Sequence, residues 1–494
     1  MFKLLSIFLL LSNSPALFHS LDPQSIAEHF AFYELYPDSP EGKKALSHAW
    51  KLLSGEDANV ALQNLPKFDL SAIISMVTRQ SFEAPVLLKE EELNAINNIA
   101  SKLANRQLKG AHTWNKNEIL SLPSEEIDLA RGLLLYQLED IEAVKQYEAN
   151  LDLIALQIQA RLSEESTPVD KIYAINRFIF EEMQFRFPPH SLYAQDVDLY
   201  TFLPSVLDSR QGVCLGVSIL YLALAQRLNL SLEIITPPGH IYVRYRDDDT
   251  LINIETTARG IHLPNEVYLG INTRKLEQKQ LKEVIGCAFI NEASVYISKG
   301  DFAKAATLYD KARPFLPNDP LLDLLQGFMY VFIGKTSEGK KFLKNVRNYT
   351  FDHAVSPETM PEDYLLGRAN IEGIKAIFLP VDETRASILE KQKQLQTIVK
   401  KHPKFRAGIL QLATTWLQLG RLLEAQEVLE KYHCLDSQDS TVEYYLSIIA
   451  LHRLDYNKAW QHLKIAEALV QKREHNPKAL TELRHELHRL SPET

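Results

Sequence analysis

The sequence predicts an α+β core set between an N-terminal helical region and a C-terminal all-helical array. Three observations carry this expectation. Residues 22–163 place apolar side chains three and four apart, the period of amphipathic helices. Residues 211–256 switch to a helix apolar nearly all round, followed by short alternating strands. From 286 onward the strand pattern stops, and helical segments recur at a 34-residue step.

Composition bounds what such a chain can be. At 494 residues it is too long for one ordinary core. It suggests two to four domains at roughly 100–200 residues each. Hydrophobic residues at 46% and charged residues at 24% are the mix of a globular protein. A formal net charge of -9 leaves no basic excess for nucleic acid. Three scattered cysteines (Cys214, Cys287, Cys434) make neither a disulfide framework nor a CxxC zinc ribbon.

Residues 1–16 read as an export signal. Lys3 supplies a minimal positive start, Leu4 to Leu11 an apolar stretch, and Ser14-Pro15-Ala16 small residues for cleavage. The expected location is the periplasm or the exterior if the signal is cleaved, and the cytoplasm otherwise. The apolar stretch is well short of the ~18–20 residues a membrane span needs, and no other segment is apolar enough.

The helical region, 22–163, contains the runs Ile26–Tyr36, Lys43–Leu53 and Leu93–Leu103, punctuated by Pro37-Asp38-Ser39-Pro40 and Leu122-Pro123-Ser124. Ser124 is expected to cap a long helix running to Leu162, with Glu125 and Glu126 in its first turn. No chemistry is evident in this region, which reads as a packing domain.

The core, 164–285, opens with a helix capped by Thr167, with Pro168 at its first position, running to about Met183. Gln211-Gly212-Val213-Cys214 leads into Leu215–Leu228, apolar nearly all round and so buried, and Asn229 ends it. Strands are expected at Leu232–Thr236, His240–Arg246 and Leu251–Thr256, with turns at Pro237-Pro238-Gly239 and Asp247–Thr250.

In the array, 286–494, Gly300, Ala305, Tyr309 and Ala312 recur 34 residues later as Gly334, Gly339, Leu343 and Val346. Gly420, Ala425 and Leu429 map at the same step onto Leu454, Ala459 and Leu463, while Leu365–His402 fits loosely. This is the period of tetratricopeptide repeats, whose small residues let paired helices pack closely.

Candidate chemistry gathers in the core. Cys214 starts a helix, where free N–H groups and the dipole favour a thiolate and can hold an oxyanion. Taken alone, a free cysteine is as a rule a small buried apolar residue, a strand histidine a structural one, and a strand acid solvated. Register weighs Cys214, His240 and Glu255 together. Ile241, Val243 and Tyr245 form one apolar face, Ile252 and Ile254 the other strand's. Matching them pairs Ile254 with Ile241 or with Val243, through a two- or four-residue loop. Either choice puts His240, Tyr242, Asn253 and Glu255 on one shared face. An acid that orients an imidazole beside a thiol is the logic of a nucleophilic triad.

These residues carry a resemblance. Asn176-Arg177-Phe178, Val206 through Gly216, Leu220-Tyr221-Leu222, Pro238-Gly239-His240 and Asn253-Ile254-Glu255-Thr256 resemble the transglutaminase-like cysteine-hydrolase superfamily, in particular its SirB-related branch. The resemblance implies a papain-like core in which Cys214 is the nucleophile, His240 the general base and acid, and Glu255 the orienting acid. Glu255 stands where the family usually has an aspartate. Gln211, Tyr242 and Asn253 are candidate oxyanion or substrate contacts.

The implied activity is that of a peptidase, amidase or transamidase acting on a protein or peptide, with the repeats recruiting a protein partner. Many SirB-related proteins lack the cysteine and are catalytically silent, so the alternative is a protein-binding scaffold. No cofactor and no metal are expected. Cys287 and Cys434 read as structural, and His485 and His488 share a helix face without a third ligand.

Overall fold

The computed structural model describes residues 14–55, 66, 68–80, 83–188, 197–378, 381–382 and 384–493. Most of the expected export signal, residues 1–13, lies outside the described residues; Ser14–Ala16 open a short helix, Ser14–Ser20.

Among the described residues the N-terminal region consists of helices joined by loops, without strands. Ser25 and Ser39 cap the helices Ile26–Leu35 and Pro40–Ser54, each hydroxyl accepting from a first-turn N–H. Two expectations need correction. The run expected over Leu93–Leu103 is helical only over Glu90–Ile99 and then tightens into a 3-10 turn at Ala100–Lys102. Ser124 caps no long helix. Residues Ser124–Glu126 make one 3-10 turn, and the Ser124 hydroxyl accepts from the N–H of Lys282 instead. Two helices follow, Leu129–Gln137 and Ile141–Gln159, started by Asp128 and Asp140. A carboxylate at each position accepts from first-turn N–H groups and suits the positive end of the dipole.

The next helix, Pro168–Asn176, has the full capping box of Thr167 and Asp170, then widens into a π-helical stretch over Arg177–Glu182. The helix Cys214–Arg227 runs through the centre, with every residue from Leu215 to Ala225 buried. Gly216 is required there. A Cβ at that position would stand 2.1 Å from the carbonyl oxygen of Tyr200, so only glycine lets the helix start lie against that backbone.

Four strands form one antiparallel sheet in the order β3-β2-β1-β4: β1 Glu233–Thr236, β2 Tyr242–Arg246, β3 Leu251–Ile254 and β4 Glu277–Lys279. Val243 faces Ile254 and Arg246 faces Leu251, so the Asp-rich loop is the four-residue one. Asp247 closes it by accepting from the N–H groups of Asp249 and Thr250.

Helical hairpins fill the rest. Phe302–Ala312 and Thr336–Asn345 begin 34 residues apart, as do Arg406–Gln418 and Ser440–His452, and Leu422–Leu435 and Tyr456–Gln471. Gly300, Gly334 and Gly420 turn between helices at positive φ, and Leu454 takes the same conformation one step after Gly420. One apolar core runs from the N-terminal helices through the sheet into the first repeats. Among the described residues, no helix is long and apolar enough to cross a membrane.

Candidate active site

Cys214 is the first residue of its helix, after Val213, and no side chain caps that end. Its first-turn N–H groups are therefore free to face an anion beside the thiol. The thiol is half-buried. The helix start is pinned to the sheet through Thr256, whose hydroxyl lies 3.0 Å from that of Ser218.

His240 is delivered by the Pro-Pro-Gly turn. Gly239 sits at φ 71°, and the His240 N–H closes the turn on the Pro237 carbonyl at 3.0 Å. The strand itself starts later than expected, at Tyr242, because the backbone of His240 is spent on that turn. Glu255 likewise lies just past β3, in a single bridge to Ile261.

The carboxylate and the imidazole meet. His240 Nε2 is 2.7 Å from Glu255 Oε2, and the ring is electrostatically coupled to Cys214. With Nε2 held by the acid, Nδ1 is the nitrogen left for the thiol. Glu255 is almost wholly buried, whereas a quarter of the His240 side chain is open. Three further donors fix the carboxylate: the N–H of Thr257 at 3.1 Å, its hydroxyl at 2.6 Å, and the hydroxyl of Tyr268 at 2.5 Å.

These contacts set the charges. Burial opposes a charged ring, but the interactions with Cys214 and Glu255 outweigh it and raise the His240 pKa to about 10. Burial also opposes the Glu255 carboxylate, yet His240, Thr257 and Tyr268 bring it down to about 2. The His240 contribution to stability is therefore complete below its ordinary value of 6.5 and is lost as pH rises through 10. That of Glu255 is complete above 4.5 and is lost as pH falls through 2. Burial raises the thiol of Cys287 to about 12, which keeps it protonated and inert.

Two of the expected substrate contacts need correction. Tyr242 and Asn253 are wholly buried. The Tyr242 hydroxyl accepts from Arg244, and Asn253 accepts from Arg244 while donating to Leu263 and Asn265. Their polar atoms are occupied inside the sheet, so they brace the site from behind. Gln211 stays half-buried on the loop before Cys214, bridged to Arg186.

Sequence reasoning missed Tyr268 and Thr257. Thr257 carries a weak local signal, a hydroxyl two residues after the acid. Tyr268 carries none. It arrives from a separate loop and stacks on both His240 and Tyr242, with ring centroids 5.7 Å and 4.7 Å away. That loop is tied to the repeats, where the Gly270 carbonyl lies 2.7 Å from His475 Nε2 and Arg274 meets Asp352.

The model of the transglutaminase-like superfamily matches residues 145–284. Two UPF0162 proteins of Xylella fastidiosa, from strains 9a5c and Temecula1, are each 23% identical over 249 and 252 residues respectively. Each alignment covers 47% of this chain and 86% of the relative. Among solved structures, MamA is 16% identical, covering 37% of this chain and 96% of its own, with a TM-score of 0.21. YrrB, a TPR protein with an unusual peptide-binding site, is 17% identical, covering 40% and 92%, with a TM-score of 0.21. Residues 145–284 are thus a transglutaminase-like domain, followed in this chain by helical hairpins at the tetratricopeptide step.

Proposed function

We propose that this chain is a cysteine acyl-transfer enzyme, a peptidase, amidase or transamidase that acts on a protein or peptide amide. One observation carries the reading: a single imidazole, His240, hydrogen-bonds to a buried carboxylate at 2.7 Å and is electrostatically coupled to the thiol at a helix start.

In this mechanism the Cys214 sulfur attacks the amide carbonyl carbon. The N–H groups of the helix start, with Gln211, receive the developing oxyanion. His240 gives its proton to the departing amine as the C–N bond breaks, leaving a thioester on Cys214. Water or a second amine then attacks the thioester, giving its proton to His240, and the carbon–sulfur bond breaks to restore the thiolate. Glu255 holds the ring in the tautomer that keeps Nδ1 facing sulfur. The repeats present the protein partner or substrate, as helical arrays do on their concave face. Residues 1–16 export the chain.

Alkylation by iodoacetamide tests this without knowledge of the substrate. At neutral pH the wild-type Cys214 is expected to react several-fold faster than an ordinary free thiol, whose pKa is about 8.5. His240→Ala is expected to return it to ordinary thiol behaviour. Identical ordinary-thiol profiles in both proteins would overturn the enzyme reading in favour of a SirB-like scaffold that binds through its repeats.

A further inference from the structure

A second cluster lies in the last repeats and uses none of the residues above. His433 sits in the last turn of Leu422–Leu435, Glu443 in the first turn of Ser440–His452, and His462 within Tyr456–Gln471. Both histidines turn Nδ1 toward the one carboxylate, each to a different oxygen, at 2.5 Å and 2.8 Å. One ligand atom from each of the three lies within 4.8 Å of the others.

Glu443 is shared by two imidazoles, His433 and His462. It is wholly buried. Three other deeply buried acids face guanidinium groups: Asp152 faces Arg227, Glu148 faces Arg131, and Asp363 faces Arg406; Glu255 of the core faces one imidazole, His240. Among the described residues, the ion-pair partners of Glu443 are two imidazoles. A buried carboxylate needs a compensating positive charge. Here an ion held between the two rings and the carboxylate would supply that charge.

We infer that His433, Glu443 and His462 form a binding site for a divalent transition-metal ion of the zinc type. Two imidazole nitrogens and one carboxylate suit such an ion and leave a further position for water. A path to that position exists, because the His433 side chain is 32% exposed and that of His462 is 13% exposed. Ligand atoms about 2.0–2.2 Å from a tetrahedral ion stand roughly 3.3–3.5 Å apart. The two hydrogen-bonded N–O pairs therefore open by less than about 1 Å each to admit it. The ion takes the place of the two hydrogen bonds now made at the Nδ1 atoms. It joins three successive helices and stiffens the end of the repeat array. Nothing in the sequence points to this site, because the spacings from 433 to 443 and from 443 to 462 match no short metal motif. The pair it singled out, His485 and His488, is elsewhere on the final helix.

The test uses the full chain without an affinity tag, carrying Cys214→Ser so that the thiol of the core offers no competing ligand. The protein is freed of metal by chelator and titrated with cobalt(II), then with zinc(II). The expected result is one ion per chain, visible d–d bands of low-symmetry cobalt without a sulfur charge-transfer band, and displacement by zinc. Glu443→Gln and His433→Ala are each expected to weaken binding by about tenfold or more. Glutamine can still hydrogen-bond both rings; should that variant fail to fold, the partly exposed His433 decides through its own variant. No stoichiometric binding, or binding that neither substitution weakens, would overturn the site.

Discussion

Replacing Glu255 with glutamine is expected to slow acylation of Cys214 by an activated ester about 10²–10⁴-fold, with the fold retained. The reason is tautomeric. Glu255 accepts from His240 Nε2 and so keeps Nδ1 toward sulfur. A glutamine whose oxygen keeps the Thr257 donors turns its NH2 toward His240. That NH2 donates to Nε2 and drives the ring proton onto Nδ1, where it blocks proton transfer from the thiol. The charge that favours an imidazolium is lost as well. Stopped-flow release of the ester's leaving group measures the effect. A loss smaller than about tenfold would mean that Glu255 does not orient the ring.

Replacing Asp152 with alanine is expected to destabilise the protein by about 3–5 kcal/mol. Asp152 and Arg227 are each 1% exposed and meet at 2.8 Å, and Asp152 also pairs with Arg106. Removing the carboxylate strands one wholly buried and one largely buried guanidinium. Arg227 closes the helix that begins with Cys214, so this pair fastens the nucleophile's helix to Ile141–Gln159. Urea unfolding by circular dichroism gives the change. Apolar replacement of Asp152 and Arg227 together is expected to cost less, because the wholly buried guanidinium is then gone and only the partly exposed Arg106 loses its partner.

The parts legible in the sequence were those governed by local period. Ile252, Ile254, Val243 and Tyr245 fixed the strand faces, and the observed pair Val243 with Ile254 is one of the two registers they allow. The Gly300 and Gly420 turns marked a step that the helix starts keep. Thr167, Pro168 and Asp170 read directly as a helix start, because capping depends on three neighbouring residues.

What escaped was set by distant partners. Ser124 looked like a cap until Lys282, 158 residues away, claimed its hydroxyl. Asn253 shared a face with the acid as expected, but Arg244 and the 263–265 segment filled its hydrogen bonds. Tyr268 reaches Glu255 from a loop, and Asp152 finds Arg227 across 75 residues. Sequence period carries no information about such long-range contacts.

The central claim is that His240 is a charged ring held between Cys214 and Glu255. Its ring nitrogen chemical shifts, followed by NMR from pH 5 to 11, test it most directly. The imidazolium is expected to persist to about pH 10 in the wild type, and Cys214→Ala and Glu255→Gln should each move its midpoint down toward 6.5. A wild-type ring that already titrates near 6.5, unmoved by either substitution, would contradict the account.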